Sequence, residues 1–228
     1  MAEIPQDFGF QSPAVQSKLQ QYFNERINCV AADTSCLCSL PLSTVLSASD
    51  ALFNNAMSID PSATGEEPMR PVHDGVLITS TLDSSSPFPQ VSKPIILSTV
   101  VNEAGPAIYG SIPYPIDAST YEAIVYSSFG EPGTSNLLAY PGYQVPNVTG
   151  SPDARIQLEQ MGTDQIWRCP TWTFARSWTQ NGGSAFVAHY TVGATYPDNK
   201  DVPYCSGAGV VCHEDDIEIV VRDLFDPP

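Results

Sequence analysis

Basic residues are scarce in this chain. Nine lysines and arginines stand against 25 aspartates and glutamates in 228 residues, a formal net charge of −16. A surface of that sign repels phosphate backbones, and no Lys/Arg patch is present to release counterions. Neither nucleic-acid binding nor attraction to anionic membranes is expected. Long apolar runs are missing as well. No stretch reaches the roughly 18 apolar residues of a membrane-spanning helix, so no transmembrane segment is expected. The N-terminus, Met1-Ala2-Glu3-Ile4-Pro5, lacks the basic and apolar segments of a secretory signal. Internal repeats, low-complexity tracts and a long acidic tail are absent, the acids falling in short groups such as Glu66-Glu67 and Glu214-Asp215-Asp216. The acids at 214–216 lack the spacing of a calcium loop, and no cofactor is expected.

What is present describes a folded domain. Hydrophobic residues make up 42% of the chain, enough for a sizeable core, and 21 prolines impose many non-helical connections. Six cysteines include two close pairs, Cys29 with Cys36 and Cys205 with Cys212. Each pair would close a short loop of small polar residues, and two such bridges, worth about 2–3 kcal/mol apiece by loop entropy, imply an oxidising compartment. The alternative is six free thiols in a cytosolic protein. Paired cysteines without a signal point to a missing N-terminal segment. The sequon Asn147-Val148-Thr149 fits a glycosylated surface loop of a secreted protein.

Element signals alternate between helix and strand. Ser12 caps a helix with Pro13 at its first position, and Val15, Leu19, Tyr22 and Phe23 share one face. A short helix is expected from Leu42 to about Ala48, followed by a surface connection over 49–70. Pro71-Val72-His73-Asp74-Gly75 reads as a turn into a strand at 76–79. Pro94 to Val101 is apolar and β-branched, suiting a central strand covered on both faces. Ser119 to Glu122 resembles a capping box, Gly130 a helix stop, and 131–150 a loop. Ser151-Pro152 repeats the first helix's start signal. Helices are expected at 153–161 and 164–180, the second broken or kinked at Pro170. Strands are expected at 184–192 and 217–221, with a loop at 193–209. The alternation argues for a layered α/β domain, yet so few strands cannot complete a doubly covered sheet. The missing neighbours would come from elsewhere, and exposed sheet edges of this kind invite self-association.

Taken in order, several of these stretches resemble the type-B carboxylesterases and lipases, the cholinesterase-like branch of the α/β-hydrolase fold. The resemblance runs from about residue 12 to about 221. Cys29 with Cys36-Leu37 is similar to the family's short disulfide loop, and Pro71 to Gly75 to its Pro-Val-x-Asp-Gly turn. The strand running into Asn102-Glu103-Ala104-Gly105 resembles the one that bears the triad acid. Thr163-Asp164 with Cys169-Pro170 resembles a segment lying between acid and histidine. Cys212-His213-Glu214-Asp215-Asp216-Ile217 resembles the histidine loop of fungal lipase-type members. The resemblance implies that Glu103 is the acid and His213 the general base of a Ser-His-Glu triad acting on a carboxylic ester or lipid. It also implies a partial α/β-hydrolase fold: the C-terminal part of the sheet and its covering helices over residues 1–228, without the N-terminal strands.

The serine has no counterpart here. Its Gly-x-Ser-x-Gly elbow should precede the acid. Gly133-Thr134-Ser135-Asn136-Leu137 lacks the second glycine, and Gly183-Ser184-Ala185 follows the acid instead of preceding it. The Gly-Gly oxyanion loop is missing too. The resemblance therefore implies an ester-hydrolase fragment, inactive alone, from a relative that passes through the secretory pathway. The alternatives are a non-catalytic cholinesterase-like interaction module or a truncated gene product. Three departures from the family pattern matter: Glu214 in place of the glycine usual after the histidine, Cys38 where arginine is frequent and close enough to compete for Cys29, and decay of the match beyond Val221.

Plainer roles exist for several of these residues. Glu103 alone would pass for a solvated loop acid and His213 for a hydrogen-bonded loop histidine. His73 reads as a turn residue and His189 as a packed core histidine. Trp167, Trp172 and Trp178 fit either helix packing or a substrate gorge. Cys205, Cys212 and His213 could supply zinc ligands, but match no common finger spacing and lack an obvious fourth ligand.

Overall fold

The computed structural model describes residues 11–63, 68–72, 74–78, 88–146, 150, 152–194 and 196–225. The Asn147 sequon and His73 lie outside them. The chain divides into two compact units, residues 8–87 and residues 88–228 with 1–7.

The smaller unit is helical. Helix α1 spans Pro13–Ile27, with the Ser12 hydroxyl accepting from the Val15 amide as the start signal implies. Helix α2 (Thr34–Ser39) begins at Asp33, whose carboxylate accepts from the Cys36 amide, and had no counterpart in the sequence reading. Helix α3 runs over Leu42–Ile59, well past Ala48 into the stretch expected to be surface connection. Serine, aspartate and two asparagines make that stretch look unhelical, but Ala48, Leu52 and Ala56 recur every four residues and are buried. Packing overrides weak propensity there. Val15 and Leu19 of α1 pack with Leu52 and Ala56 of α3 around fully buried Ala63. At 76–78 the expected strand is absent, and the chain bends at 75–77. Asp74 Oδ1 accepts from the amides of Val76, Leu77 and Ile78 at 2.9, 2.9 and 3.0 Å. Those bonds spend the amides that strand pairing would need and hold the carboxyl below its ordinary pKa.

The larger unit is built around two parallel strands, β1 (Pro94–Val100) and β2 (Ser184–Tyr190), paired in register from Pro94 with Ser184 to Val100 with Tyr190. Among the described residues their connection carries the α-helices α4 (Gly105–Ser111), α5 (Ala118–Leu138), α6 (Arg155–Gly162) and α7 (Cys169–Gln180). A π-helical turn, Thr163–Arg168, joins the last two, so Pro170 falls in a first turn that needs no amide from it. Helix α5 is capped by Asp117 and not by Ser119. It breaks at Gly130 and Glu131, as the glycine suggests, but then resumes to Leu138 where a loop was expected. Tyr121, Val125, Ala154, Leu158 and Met161 form the unit's main core cluster.

Two further expectations are corrected. The 217–221 stretch is not a strand but part of helix α8, Asp215–Phe225. Its β-branched run fits either period, and three acids in the first turn favour the positive end of a helix. Strand β1 is not covered on both faces along its length. Val100 is fully buried at the carboxyl end, whereas Ile96 is 78% exposed beside Phe186 at 61%. Among the described residues, β1 has β2 as its one strand neighbour.

Candidate functional site

The buried end of β1 delivers the acid. One turn beyond Val100, Glu103 is 5% exposed, and its Oε1 accepts from the Val100 amide at 2.8 Å. The other oxygen, Oε2, lies 2.6 Å from His213 Nδ1. The two side chains are 110 residues apart in sequence. What joins them is an isolated parallel bridge between Asn102 and Cys212, one residue before each. The Asn102 amide donates to the Val211 carbonyl at 2.9 Å, and Asn102 Oδ1 accepts from the Val211 amide at 3.1 Å. This short extension of the parallel pairing brings the loop after β1 and the loop before α8 together at one end of the strands.

The acid loop is anchored from below. Thr163 Oγ1 accepts from the Ala104 amide at 3.0 Å and donates to Glu159 Oε1 at 2.9 Å. Asn102 Nδ2 donates to Tyr204 OH at 3.1 Å and to Glu159 Oε2 at 3.4 Å. Burial pushes the Glu159 carboxyl above its ordinary pKa, opposed by the Thr163 and Asn102 hydrogen bonds and the charge of Arg168. Gly105 lets the loop approach closely: a Cβ there would lie 3.0 Å from Cys212 Sγ and 3.1 Å from the Tyr204 ring.

The histidine loop is held from its own side. Cys212 is bonded to Cys205, both buried. As a disulfide the pair offers no thiolate to a metal. Cys29 is bonded to Cys36, leaving Cys38 and Cys169 as exposed free thiols. Asp215, 1% exposed, accepts from the amides of Cys212 (2.9 Å) and Tyr196 (2.7 Å) and from Asn199 Nδ2 (2.9 Å). Asn199 Nδ2 also donates to the His213 carbonyl at 2.7 Å. Asp215 has one local partner, the Cys212 amide, whereas the bonds that tie Asp215 and Asn199 to the rest of the site span 14 to 19 residues and leave no local sequence signal.

The His213 side chain is 35% exposed, and the Trp167 ring lies 5.2 Å from it, centroid to centroid. Among the described residues nothing hydrogen-bonds its Nε2. Burial opposes protonation of the ring. The Glu103 hydrogen bond and charge, with the charges of Glu214 and Asp216, outweigh burial and raise its pKa above the ordinary 6.5. Glu214, in the position where the resembling family has glycine, takes a φ of +72°. An imidazole held at Nδ1 by a buried carboxylate, with Nε2 unengaged, can accept a proton at Nε2 and keep the resulting cation stabilised.

The other singled-out residues lie elsewhere. His189 faces Thr99 across the strand pair, its Nδ1 3.2 Å from Thr99 Oγ1, but it is exposed and not a core residue. Trp178 packs against Phe88 and Phe174 and donates to the Lys93 carbonyl, and Trp172 is 52% exposed. Trp167 is thus the one of the three that meets His213.

No family model and no curated protein matches the sequence. Solved structures do match the fold. Residues covering 95% of this chain superpose on 41% of a PNB esterase with a TM-score of 0.50 at 14% identity. A thermophilic PNB esterase matches over 94% of this chain and 40% of its own, with a TM-score of 0.50 at 15% identity. The chain spans about two fifths of the length of these esterases. A likeness at this identity is one of fold, and the two parallel strands with their helical connection are part of the α/β-hydrolase fold that it identifies.

Proposed function

We propose that residues 1–228 are the C-terminal portion of a serine carboxylic-ester hydrolase, contributing its acid and its base. Glu103 holds Nδ1 of His213 and stabilises the imidazolium that forms. Nε2 takes the proton of a serine hydroxyl as that oxygen attacks the ester carbonyl, then returns it to the leaving alcohol. The serine and the oxyanion donors belong to a segment preceding this one, since no Gly-x-Ser-x-Gly occurs in the sequence. The two-stranded sheet among the described residues suits continuation by such a segment, and the uncovered Ile96 and Phe186 side chains suit a face covered by further chain. Two disulfides suit an oxidising compartment, and the relative from which the chain derives would be secreted.

The 2.6 Å contact between buried Glu103 and His213 Nδ1 carries this reading. The test is hydrolysis of a short-chain aryl ester by the chain alone and by the chain mixed with the N-terminal half of a PNB esterase. The expected result is background alone and turnover in the mixture that His213→Ala abolishes. Turnover indifferent to His213→Ala would overturn the assignment. A phosphonyl adduct on a serine of the lone chain would overturn the placement of the nucleophile.

A further inference from the structure

We infer that Asp215 and Asn199 are positioning residues for His213, forming a clamp that fixes the backbone from which the imidazole reaches Glu103. The inference rests on the proposed role of the Glu103–His213 pair. Glu103 touches one ring nitrogen and nothing else on the histidine. That bond and the Trp167 ring 5.2 Å away leave the imidazole free to follow any movement of its backbone, and a shift of about 1 Å in a reacting group can cost a hundredfold in rate.

The clamp removes that freedom through three groups. One Asn199 side-chain nitrogen reaches both the His213 carbonyl at 2.7 Å and Asp215 Oδ1 at 2.9 Å, and an amide nitrogen carries one hydrogen for each. Asp215 Oδ2 takes the Cys212 amide, so the bonds bracket His213 on both sides in sequence. Oδ1 also takes the Tyr196 amide at the opening of the 3-10 turn Pro197–Asp201, which carries Asn199. The cage is tight: a Cβ on Gly193 would lie 2.6 Å from Asp215 Oδ2. Asp215 at 1% and Asn199 at 5% exposure keep water from substituting for these bonds.

The measurement is the proton NMR resonance of His213 Nδ1–H in the full chain, which a short bond to a carboxylate moves far downfield and protects from exchange. Asp215→Asn keeps the shape but sets an amide donor against donors, and Asn199→Ala removes the bridge without adding charge. Each should move that resonance upfield or lose it to exchange while the folded spectrum of the β1 and β2 amides persists. In the ester assay with the PNB esterase half, kcat should fall roughly tenfold to a hundredfold with KM little changed. A resonance present in the unsubstituted chain and unmoved in either folded variant would overturn the clamp and leave the pair standing. If one variant unfolds, the other decides. A resonance absent from the unsubstituted chain would overturn the pair and the clamp with it.

Discussion

Two disulfide loops of the same spacing serve different surroundings. Cys29–Cys36 and Cys205–Cys212 each span seven positions, with Cα atoms 5.9 and 5.7 Å apart. The first closes a helical corner: Cys29 packs with Ile27 and Ala48, and Cys36 and Leu37 lie partly buried against them. The second is wholly buried, meets the acid loop at Gly105, and is followed at once by His213. One spacing is therefore compatible with stapling a corner and with holding the proposed proton-transfer group, and neighbours decide which.

The sharpest test of that difference is to remove the group itself. In the complemented ester assay His213→Ala, and Glu103→Gln with it, should each lower kcat by about three to four powers of ten. Losses that small substitutions around Cys29–Cys36 could match would erase the distinction. Next come the bridges. Replacing either cysteine pair with serine should cost its own unit about 2–3 kcal/mol by loop entropy, read by denaturant unfolding. Loss of Cys205–Cys212 alone should also shift the His213 ring resonances. Equal shifts from both replacements would mean that the second loop has no special hold on the histidine.

A smaller effect separates the loops by pH. The His213 pKa is raised in the folded chain, so its stabilising contact with Glu103 is complete below the unfolded value near 6.5 and fades as pH climbs through the higher folded value. NMR titration of the ring should give a midpoint above 6.5, which Glu103→Gln moves downward. A downward shift in the unsubstituted chain would show that burial, and not the acids, dominates there.

What the sequence disclosed followed the reach of each signal. Ser12-Pro13 predicts α1 because a cap acts over three residues, and the apolar run at 94–101 predicts β1 because β-branched residues recur along it. The 217–221 stretch misleads because five β-branched or acidic residues fit both periods, and the turn at Glu214 that redirects the chain leaves no local mark. Glu103 and His213 were singled out through resemblance, by their order in the chain, and the structure brings the two together; no property of either residue alone distinguishes it from an ordinary loop acid or histidine. Asp215 and Asn199 were not legible at all, since a clamp between loops exists only after β1 and β2 have aligned them.

The mildest perturbation uses a feature both loops share. The two non-glycine residues with positive φ among those described flank them: Asn28, at +53° just before Cys29, and Glu214, at +72° two residues after Cys212. Asparagine tolerates the left-handed region, and Asn28 ends α1 there with its amide bonded to the Asn24 carbonyl. Glutamate gains no such relief, and the conformation costs it about 1 kcal/mol relative to glycine. Asn28→Gly should therefore change stability by only a few tenths of a kcal/mol. Glu214→Gly should gain up to about 1 kcal/mol, less the extra freedom glycine brings to the unfolded chain. It should also lower the His213 midpoint, because one of the three carboxylates raising it is gone. A stabilised variant with an unchanged midpoint would mean that Glu214 strains the loop without being felt by the ring. A lower midpoint without added stability would mean that its charge is felt and that the surrounding bonds absorb the strain.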